Sequence, residues 1–378
     1  MELKKTKVVY VVSNLVRCGP TQQLLFIVKF LDRNKFEPII LTIYPEPQDS
    51  LIEKFNSLDV PVISLNLSRF QCYLTGRFQF EKTIREFQPN LLQSQGFSAD
   101  WISSGVATDI PRISVVRGTV NDANSIIYGK WKSKLINLFY KNFSSKSKYL
   151  IGVSEAVTQS IVNFYGFAQV KTIQNGVDTS TYFPVDTSTK KQLRKELNLP
   201  ELSEIWISCG HLSKRKNPLL IISAWQSKFL NDDSRYLIFL GSGELETSCK
   251  SMAANSHNIL FLGHVNNVAD YLRSADYFVS ASLAEGFPNS VLEAMACGLP
   301  TVLSSIEPHK EILALAPGSK IGNLFDPSST DALCSAISEI LSHSYDSISS
   351  ECSSFIEKRL SALNMSYLYQ GIYDLLTL

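Results

Sequence analysis

The sequence predicts an α/β protein made of two doubly wound domains, and three observations support this. At about 150 residues per domain, 378 residues predict two domains. Short runs rich in Val and Ile, such as Lys7–Val12, do not alternate apolar with polar residues, which indicates strands buried on both faces. Helix-length segments separate these runs, and strands that alternate with helices imply right-handed crossovers and parallel sheets.

The predicted strands follow one another along both halves of the chain, with helical segments such as Thr21–Leu31, Trp131–Phe143 and Asn217–Lys228 between them. In the first half the strand-like runs are Lys7–Ser13, Glu37–Tyr44, Val60–Leu65, Leu91–Gln95, Arg112–Val116, Tyr149–Val153 and Val170–Gln174. In the second half they are Glu204–Cys209, Tyr236–Leu240, Asn258–Leu262, Tyr277–Ser280 and Pro300–Leu303.

The strand–helix pattern lapses near the middle of the chain. Residues 179–189 carry Pro184, Asp186 and a cluster of Ser and Thr, a composition typical of a linker. We therefore predict an N-terminal domain at 1–183, a linker at 184–200 and a C-terminal domain at 201–352. The last stretch, 353–378, has the apolar period of a helix.

Composition excludes several classes of protein. The net charge of +1 argues against a protein that coats nucleic acid, although residues 1–180 carry 21 Lys and Arg against 14 Asp and Glu. That excess suggests an anionic partner for the first half. Seven scattered Cys without a C-x-x-C pair, and five His, favour a reducing cytoplasm and no metal site. No apolar stretch approaches 18 residues, so we expect no membrane span.

The most informative segment is Ser280–Pro300, where a strand ends, a Gly/Pro turn follows and a helix starts near Ser290. Amides at such a helix start are a natural seat for a diphosphate. Glu285 and Glu293 flank that seat, and carboxylates there are better suited to accept hydrogen bonds from sugar hydroxyls. The alternative is a capping box, Ser290-x-x-Glu293, which does not account for Glu285. The amides of the seat belong to Gly286, Phe287, Asn289 and Ser290.

Two further loops follow predicted strands. Lys214-Arg215-Lys216 comes directly after a strand end, which favours phosphate contact, and its alternative is a solvated basic loop. The loop before Thr21 contains Gly19, where a backbone can approach a phosphate closely. Its alternative is an ordinary strand-to-helix loop with Thr21 as the helix N-cap.

The stretch from Glu285 to Pro300, with its Glu285-x7-Glu293 spacing, resembles the signature of retaining glycosyltransferase family 4, which has the GT-B fold. The resemblance implies two Rossmann-like domains that face a central cleft, with 353–378 crossing back onto the first domain. Other landmarks of the family are matched by Val153–Glu155, Gln174–Asp178, Gly210–Leu212, Lys216–Pro218, Leu240–Gly243 and Phe261–Val265.

The resemblance also implies roles for individual residues. Glu293 would hold the ribose hydroxyls, Glu285 a hydroxyl of the transferred sugar, and Lys216 would neutralise the leaving diphosphate. Backbone atoms of 263–265 would meet the base. The catalytic residues expected are Glu285 and Lys216. The donor-binding set is Gly19, His211, Arg215, Lys216, His264, Val265, Glu285, Gly286, Phe287, Pro288, Asn289, Ser290 and Glu293.

Three positions depart from the family pattern. Arg117, followed by Gly118 on the expected acceptor side, stands where the family commonly has His, and His211 stands where it usually has Arg. Cys18-Gly19 replaces a glycine pair. A guanidinium and an imidazole both donate to phosphate but differ in charge and reach. These departures keep open a nucleotide-sugar-binding protein with impaired catalysis.

A basic amphipathic segment lies between Lys130 and Lys148, with six Lys and no acidic residue. It suits anionic lipid headgroups, as on the inner face of a membrane, or alternatively a packed helix with a solvated Lys face. The function expected is transfer of a sugar from a nucleotide-sugar, UDP-linked by family precedent, to a glycan or lipid-linked acceptor in bacterial surface polysaccharide synthesis. The doubly wound pattern alone also fits a dinucleotide-dependent oxidoreductase, but no G-x-G-x-x-G follows the first strand.

Overall fold

The computed structural model describes residues 5–105, 109–119, 138–230 and 232–377. The chain divides into two units, of which unit 1 is Met1–Gly176 with Ala362–Leu378 and unit 2 is Val177–Ser361. Each unit contains one wholly parallel sheet with helices between its strands, as the buried Val and Ile runs predict. The α/β architecture of two Rossmann-like domains is therefore confirmed.

The described residues of unit 1 form a seven-stranded sheet in the order β3-β2-β1-β4-β5-β6-β7. Its strands are β1 Thr6–Val12, β2 Phe36–Thr42, β3 Val62–Ser64, β4 Leu91–Gln95, β5 Arg112–Val116, β6 Tyr149–Gly152 and β7 Val170–Thr172. The helices between them include α1 Gly19–Lys29, α2 Ile52–Asn56, α3 Arg69–Phe87, α4 Phe97–Ser104 and α5 Glu155–Tyr165.

Unit 2 contains six strands in the order β10-β9-β8-β11-β12-β13. Its strands are β8 Glu204–Cys209, β9 Arg235–Leu240, β10 Ile259–Phe261, β11 Tyr277–Ser280, β12 Thr301–Ser304 and β13 Gly322–Phe325. Its helices are α6 Thr187–Glu196, α7 Pro218–Phe229, α8 Glu246–Met252, α9 Val268–Ser274, α10 Asn289–Ala296, α11 Glu307–Ala314, α12 Thr330–Leu341 and α13 Tyr345–Arg359.

The last helix, α14 (Ala362–Thr377), belongs to unit 1 although it follows unit 2 in the chain. The buried Tyr373 packs edge-to-face against the rings of Tyr10 and Phe36, on β1 and β2. Its hydroxyl donates a 2.6 Å hydrogen bond to Gln93 Oε1 on β4. This helix therefore completes the core of the N-terminal unit.

The predicted boundaries need three corrections. The first stretch of unit 1 ends at Gly176 and not at 183, so residues 177–183 belong to unit 2. The predicted linker at 184–200 contains α6, because Asp186 is not a linker residue but the N-cap that accepts from the Thr189 amide. Arg194 on that helix pairs with Asp276 at 2.6 Å, which fixes it to unit 2. The predicted helix at 353–378 consists of parts of two helices. α13 ends at Arg359, and α14 begins at Ala362 and is the only one of the two that belongs to unit 1.

Residues 130–137 of the predicted lipid-binding segment Lys130–Lys148 lie outside the described residues, which resume at 138. Residues 138–144 are helical, and Lys141, Lys146 and Lys148 are exposed. Within the described parts of the chain, no helix combines the length and the apolar character that crossing a membrane requires.

Candidate active site

The candidate site of unit 2 is built where two neighbouring parallel strands end. β8 and β11 lie side by side, so the loops that follow them, 210–217 and 281–288, meet at the carboxyl edge of the sheet. Ligands of open α/β sheets bind at this edge. Residues that are about 70 positions apart in sequence are thereby brought together, as in the 2.8 Å hydrogen bond from the Leu283 amide to the Arg215 carbonyl.

Glu285 is the centre of a buried ionic cluster. Its Oε1 lies 2.7 Å from Lys216 Nζ and accepts a 2.8 Å hydrogen bond from Ser282 Oγ. Its Oε2 lies 2.7 Å from Arg215 Nη1, which also donates to the Ala284 carbonyl at 2.8 Å. Both carboxylate oxygens are therefore held, and the side chain is only 10% exposed.

The cluster keeps Glu285 ionised. Burial raises the pKa of its carboxyl, but the charges of Lys216 and Arg215 and the hydrogen bonds from Lys216 and Ser282 outweigh that effect and bring the pKa to about 2. A fixed carboxylate with two cations at a strand edge can accept hydrogen bonds from hydroxyls, while the cations attract an anionic ligand.

Glycine lets the loops approach one another closely. Gly210 has φ +141°, and a Cβ there would lie 3.0 Å from Lys216 Cε, so the lysine stem lies across a bare backbone. A Cβ on Gly241, at φ +128°, would meet the Gly210 carbonyl oxygen at 2.1 Å. Larger residues at either position would displace Lys216 or separate the loops after β8 and β9.

The helix α10 starts beside the cluster, and its start does not have the capping box that Ser290-x-x-Glu293 offered as an alternative. Its N-cap is Pro288, and no side chain caps it. Ser290 lies inside the helix, so Ser290 and Glu293 do not form a capping box. The first turn contains no acidic residue, and the amide end of the helix dipole favours an anion there.

Glu293 differs from Glu285 in its protonation. Burial raises its pKa to about 7, against the opposing charge of Lys216. Burial also raises the pKa of three further groups whose charges interact with that of Glu293, namely Tyr182, Cys209 and Cys297. The two carboxyl groups near Lys216 therefore have well separated pKa values, and Glu293 is half protonated near neutral pH.

We expect Glu293→Gln to stabilise the free protein, and increasingly so as pH rises. Between pH 4.5 and about 7 the unfolded chain loses the Glu293 proton while the folded chain keeps it, so stability is lost as pH rises. Above pH 7 this loss amounts to about 3 kcal/mol. Urea unfolding at pH 5 and pH 8 measures it, with the exposed Glu339→Gln as the control. A difference between variant and wild type that does not change with pH contradicts the prediction.

A hydrogen-bond network of Ser304 and His309 supports the loop that contains Glu285. The sequence pattern did not predict this network. Ser304 Oγ donates to the Ser282 carbonyl at 2.6 Å, and His309 Nδ1 lies 2.8 Å from the Ser304 carbonyl. His309 is fully buried, and burial lowers its pKa to about 4, so it is neutral and Nδ1 carries the proton. The sequence feature that could have indicated the network is a Ser at the end of each of two neighbouring strands, Ser280 on β11 and Ser304 on β12.

Other predicted donor residues of unit 2 lie outside the cluster. His211 is exposed and its Nε2 lies 3.4 Å from Glu244, on the loop after β9. His264 is exposed and Val265 partly buried. They follow β10, whose loop is tied to the loop after β9 by a 2.7 Å hydrogen bond from the Gly241 amide to the Gly263 carbonyl.

The candidate residues of unit 1 lie at the carboxyl edge of its own sheet. Arg117 donates to Gln95 Oε1 at 2.9 Å and to Asn175 Oδ1 at 3.1 Å, and Gln95 Nε2 lies 3.4 Å from the Pro20 carbonyl in α1. Within the described residues, no carboxylate lies within ion-pair distance of Arg117. Gly118 follows in the loop.

The start of α1 does not match the alternative in which Thr21 is the helix N-cap. The helix begins at Gly19, its N-cap is Cys18 without a side-chain capping bond, and Thr21 lies inside the helix. Thr21 is therefore not the N-cap. Across the described ranges, no three His, Cys, Asp or Glu side chains come together as a metal site.

Two family models match the chain, one after the other. The model described as "Glycosyltransferase Family 4" matches residues 19–181, and "Glycosyl transferases group 1" matches residues 189–359. Together they span both units apart from the ends of the chain and residues 182–188.

Individual relatives agree with these matches. The chain is 26% identical over 309 residues to the N,N'-diacetylbacillosaminyl-diphospho-undecaprenol alpha-1,3-N-acetylgalactosaminyltransferase of Campylobacter jejuni, over 77% of this chain and 78% of that protein. It is 24% identical to the O-antigen biosynthesis glycosyltransferase WclY of Escherichia coli, over 97% and 98%. Two further relatives are matched over only 38% and 37% of their own lengths.

Solved structures share the fold. The chain resembles Anabaena Alr3699/HepE in complex with UDP and glucose with a TM-score of 0.81 and 16% identity, over 98% of this chain and 99% of that one. At that identity the likeness establishes the architecture.

Proposed function

We propose, from the premise that this chain belongs to glycosyltransferase family 4, that it moves a sugar from a nucleotide-sugar to a hydroxyl with retention of configuration. The observation that carries the proposal is the Glu285 carboxylate held between Lys216 and Arg215 at the carboxyl edge of the unit 2 sheet. The donor proposed is UDP-linked, since a structural relative binds UDP and glucose.

The cluster supplies the groups that such a reaction needs. As the glycosidic bond to phosphate breaks, negative charge grows on the departing diphosphate, and the cations of Lys216 and Arg215 stabilise it. The amides at the start of α10, including Ser290, add the positive end of a helix dipole. These groups favour departure of the diphosphate without a metal ion, so no metal cofactor is part of the proposal.

The two carboxyl groups receive different tasks. Glu285 is ionised and accepts a hydrogen bond from a hydroxyl of the sugar, which orients it while the anomeric carbon gains positive charge. Glu293 holds the ribose hydroxyls, and ionised Glu293 binds them more strongly. In unit 1 we assign Arg117 and Gly118 to the acceptor side.

The acceptor proposed is a glycan or a lipid-linked glycan in bacterial surface polysaccharide synthesis. The support is the C. jejuni relative, whose name specifies an undecaprenol diphosphate acceptor, and the E. coli relative, named for O-antigen biosynthesis. We expect no nucleic-acid partner. We also propose that the segment Lys130–Lys148 contacts the anionic inner face of a membrane. This proposal rests on the positive charge of the segment.

A screen of nucleoside diphosphates and nucleotide-sugars by thermal shift, with hydrolysis of each sugar conjugate, tests the function. We expect UDP to raise Tm, and one UDP-sugar to be hydrolysed slowly in the presence of EDTA. NAD(H) is the control for the oxidoreductase alternative. Stabilisation by NAD(H) alone contradicts the proposal, and nucleotide-sugar binding without hydrolysis or transfer to any acceptor supports the binding protein instead.

A further inference from the structure

The helix α3 of unit 1 carries large apolar side chains on its inner face and on its outer face. Its inner face packs on the sheet through Cys72, Phe80 and Ile84, which lie in a core cluster with Val9 and Leu41. Its outer face carries four further large apolar side chains, which are 61–73% exposed, whereas a surface helix normally turns polar residues outward. These side chains are Phe70, Tyr73, Leu74 and Phe78.

The exposed side chains form a continuous row. Phe70, Leu74 and Phe78 are spaced by four residues and therefore lie along one ridge of the helix. Tyr73 lies beside them, with its ring centroid 5.3 Å from that of Trp101 on α4. A row of three large apolar side chains on successive turns is unlike the single exposed apolar residues that are common on protein surfaces.

The apolar surface extends across α4 to the described segment that begins at residue 138. Right-handed crossovers place α3, α4 and the helical residues 138–144 on the same side of the sheet. Phe97 of α4 packs edge-to-face on Phe143. Leu138 and Phe139 of that segment are 67% and 51% exposed. We call α3 together with residues 138–148 the apolar-basic face.

The same face carries most of the net positive charge of unit 1. α3 and residues 138–148 contain seven Lys and Arg against two Glu, whereas unit 1 as a whole contains 21 against 14. Five of its seven net positive charges therefore lie here. Arg85 is the one cation of α3 paired with a Glu of that helix among the described contacts. The exposed cations are Arg69, Lys82, Arg85, Lys141, Lys146 and Lys148.

We propose that the apolar-basic face docks the protein on an anionic lipid bilayer. Exposed Phe and Leu side chains enter the region between headgroups and acyl chains, while the surrounding Lys and Arg pair with lipid phosphates. A second copy of the chain does not suit the face, because a two-fold interface would oppose five net positive charges to five. The inference rests on the proposed function and deepens it, since it names the surface where the enzyme meets a lipid-linked acceptor.

Flotation with vesicles of phosphatidylcholine containing phosphatidylglycerol tests the proposal on the full chain. The test variant is F70Q/L74Q/F78Q, because Gln removes the apolar row and keeps helix propensity. The matched control is Leu202→Gln, which removes an apolar side chain that is 90% exposed on unit 2. We expect the vesicle-bound fraction of the triple variant to be about tenfold or more below that of wild type, and the control to bind like wild type.

Tm and UDP-sugar hydrolysis without lipid, measured on the same proteins, show that each variant is folded. Binding of wild type should fall as salt rises from about 0.1 M to 0.5 M and be absent with phosphatidylcholine alone. Failure of wild type to float, or flotation of the triple variant like wild type, overturns the proposal. A dimer that the triple variant dissociates, without flotation, also overturns it. Vesicle binding without hydrolysis of any donor supports the docking face and counts against the proposed function alone.

Discussion

Replacing Glu285 with glutamine is expected to lower kcat by about 1000-fold or more while donor binding is largely kept. Gln cannot supply the negative charge that faces the sugar as the anomeric carbon becomes cationic, and a single preorganised charge or donor at such a centre is commonly worth a factor of 100 to about 1000. Steady-state transfer or donor hydrolysis at pH 7 measures the change.

The same substitution should cost stability. The folded-state pKa of Glu285, about 2, lies below its ordinary value of 4.5, so the stabilising contribution is complete above pH 4.5 and is lost as pH falls toward 2. At pH 7 we expect Glu285→Gln to lower the free energy of unfolding by about 3 kcal/mol. The matched control is Glu244→Gln, an exposed carboxylate that pairs with His211. Wild-type turnover in a folded Glu285→Gln protein would refute the assignment.

Replacing Lys216 with methionine is expected to lower kcat by about 100-fold to 1000-fold, because the leaving diphosphate loses one of the two cations proposed to stabilise it. Met keeps an unbranched stem over Gly210 and removes only the charge. A second consequence follows for Glu285, because the Lys216 charge holds its pKa down. The acid limb of the pH–rate profile should therefore move to higher pH in the variant.

The control for this prediction is Lys214→Met, two residues earlier in the same basic loop. Lys214 is exposed and does not belong to the Glu285 cluster, so its removal should leave kcat and the pH profile unchanged. If the two lysine variants lose activity equally, the loop acts through its total charge and Lys216 has no individual role. If neither loses activity, the leaving group is stabilised by Arg215 or by the α10 amides.

The sequence predicted those features that depend on local pattern. Buried Val and Ile runs predicted parallel strands, and charged residues directly after strand ends pointed to the loops of Lys214–Lys216 and Glu285. The choice of Lys216 among the three cations came from the family resemblance, and the structure places Lys216 against Glu285. The pattern did not show that β8 and β11 are neighbours, because strand order in a sheet depends on helix packing and not on chain order. For the same reason, the contribution of Ser304 and His309 to the Glu285 loop was not predictable from spacing.

Two other features could not be determined from composition or periodicity. A segment with Pro, Asp and several Ser and Thr has the composition of a linker, yet Asp186 begins the polar helix α6. Apolar residues at 70, 74 and 78 fit a buried helix face as well as an exposed one, because periodicity shows that residues share a face and not what covers it. Only the packing of Phe80 and Ile84 against the sheet shows which side of α3 is the inner one.

The helix α14 has a consequence for how the chain acquires its fold during translation. Ala362–Thr377 is synthesised after all of unit 2, yet Tyr373 fills the core between β1, β2 and β4. Val177–Ser361 is contiguous and can fold while the nascent chain is still growing. Until α14 has been synthesised, Tyr10, Phe36 and Gln93 lack the contacts that Tyr373 makes with them in the folded unit. Of the two units, the one whose synthesis begins first is therefore completed last.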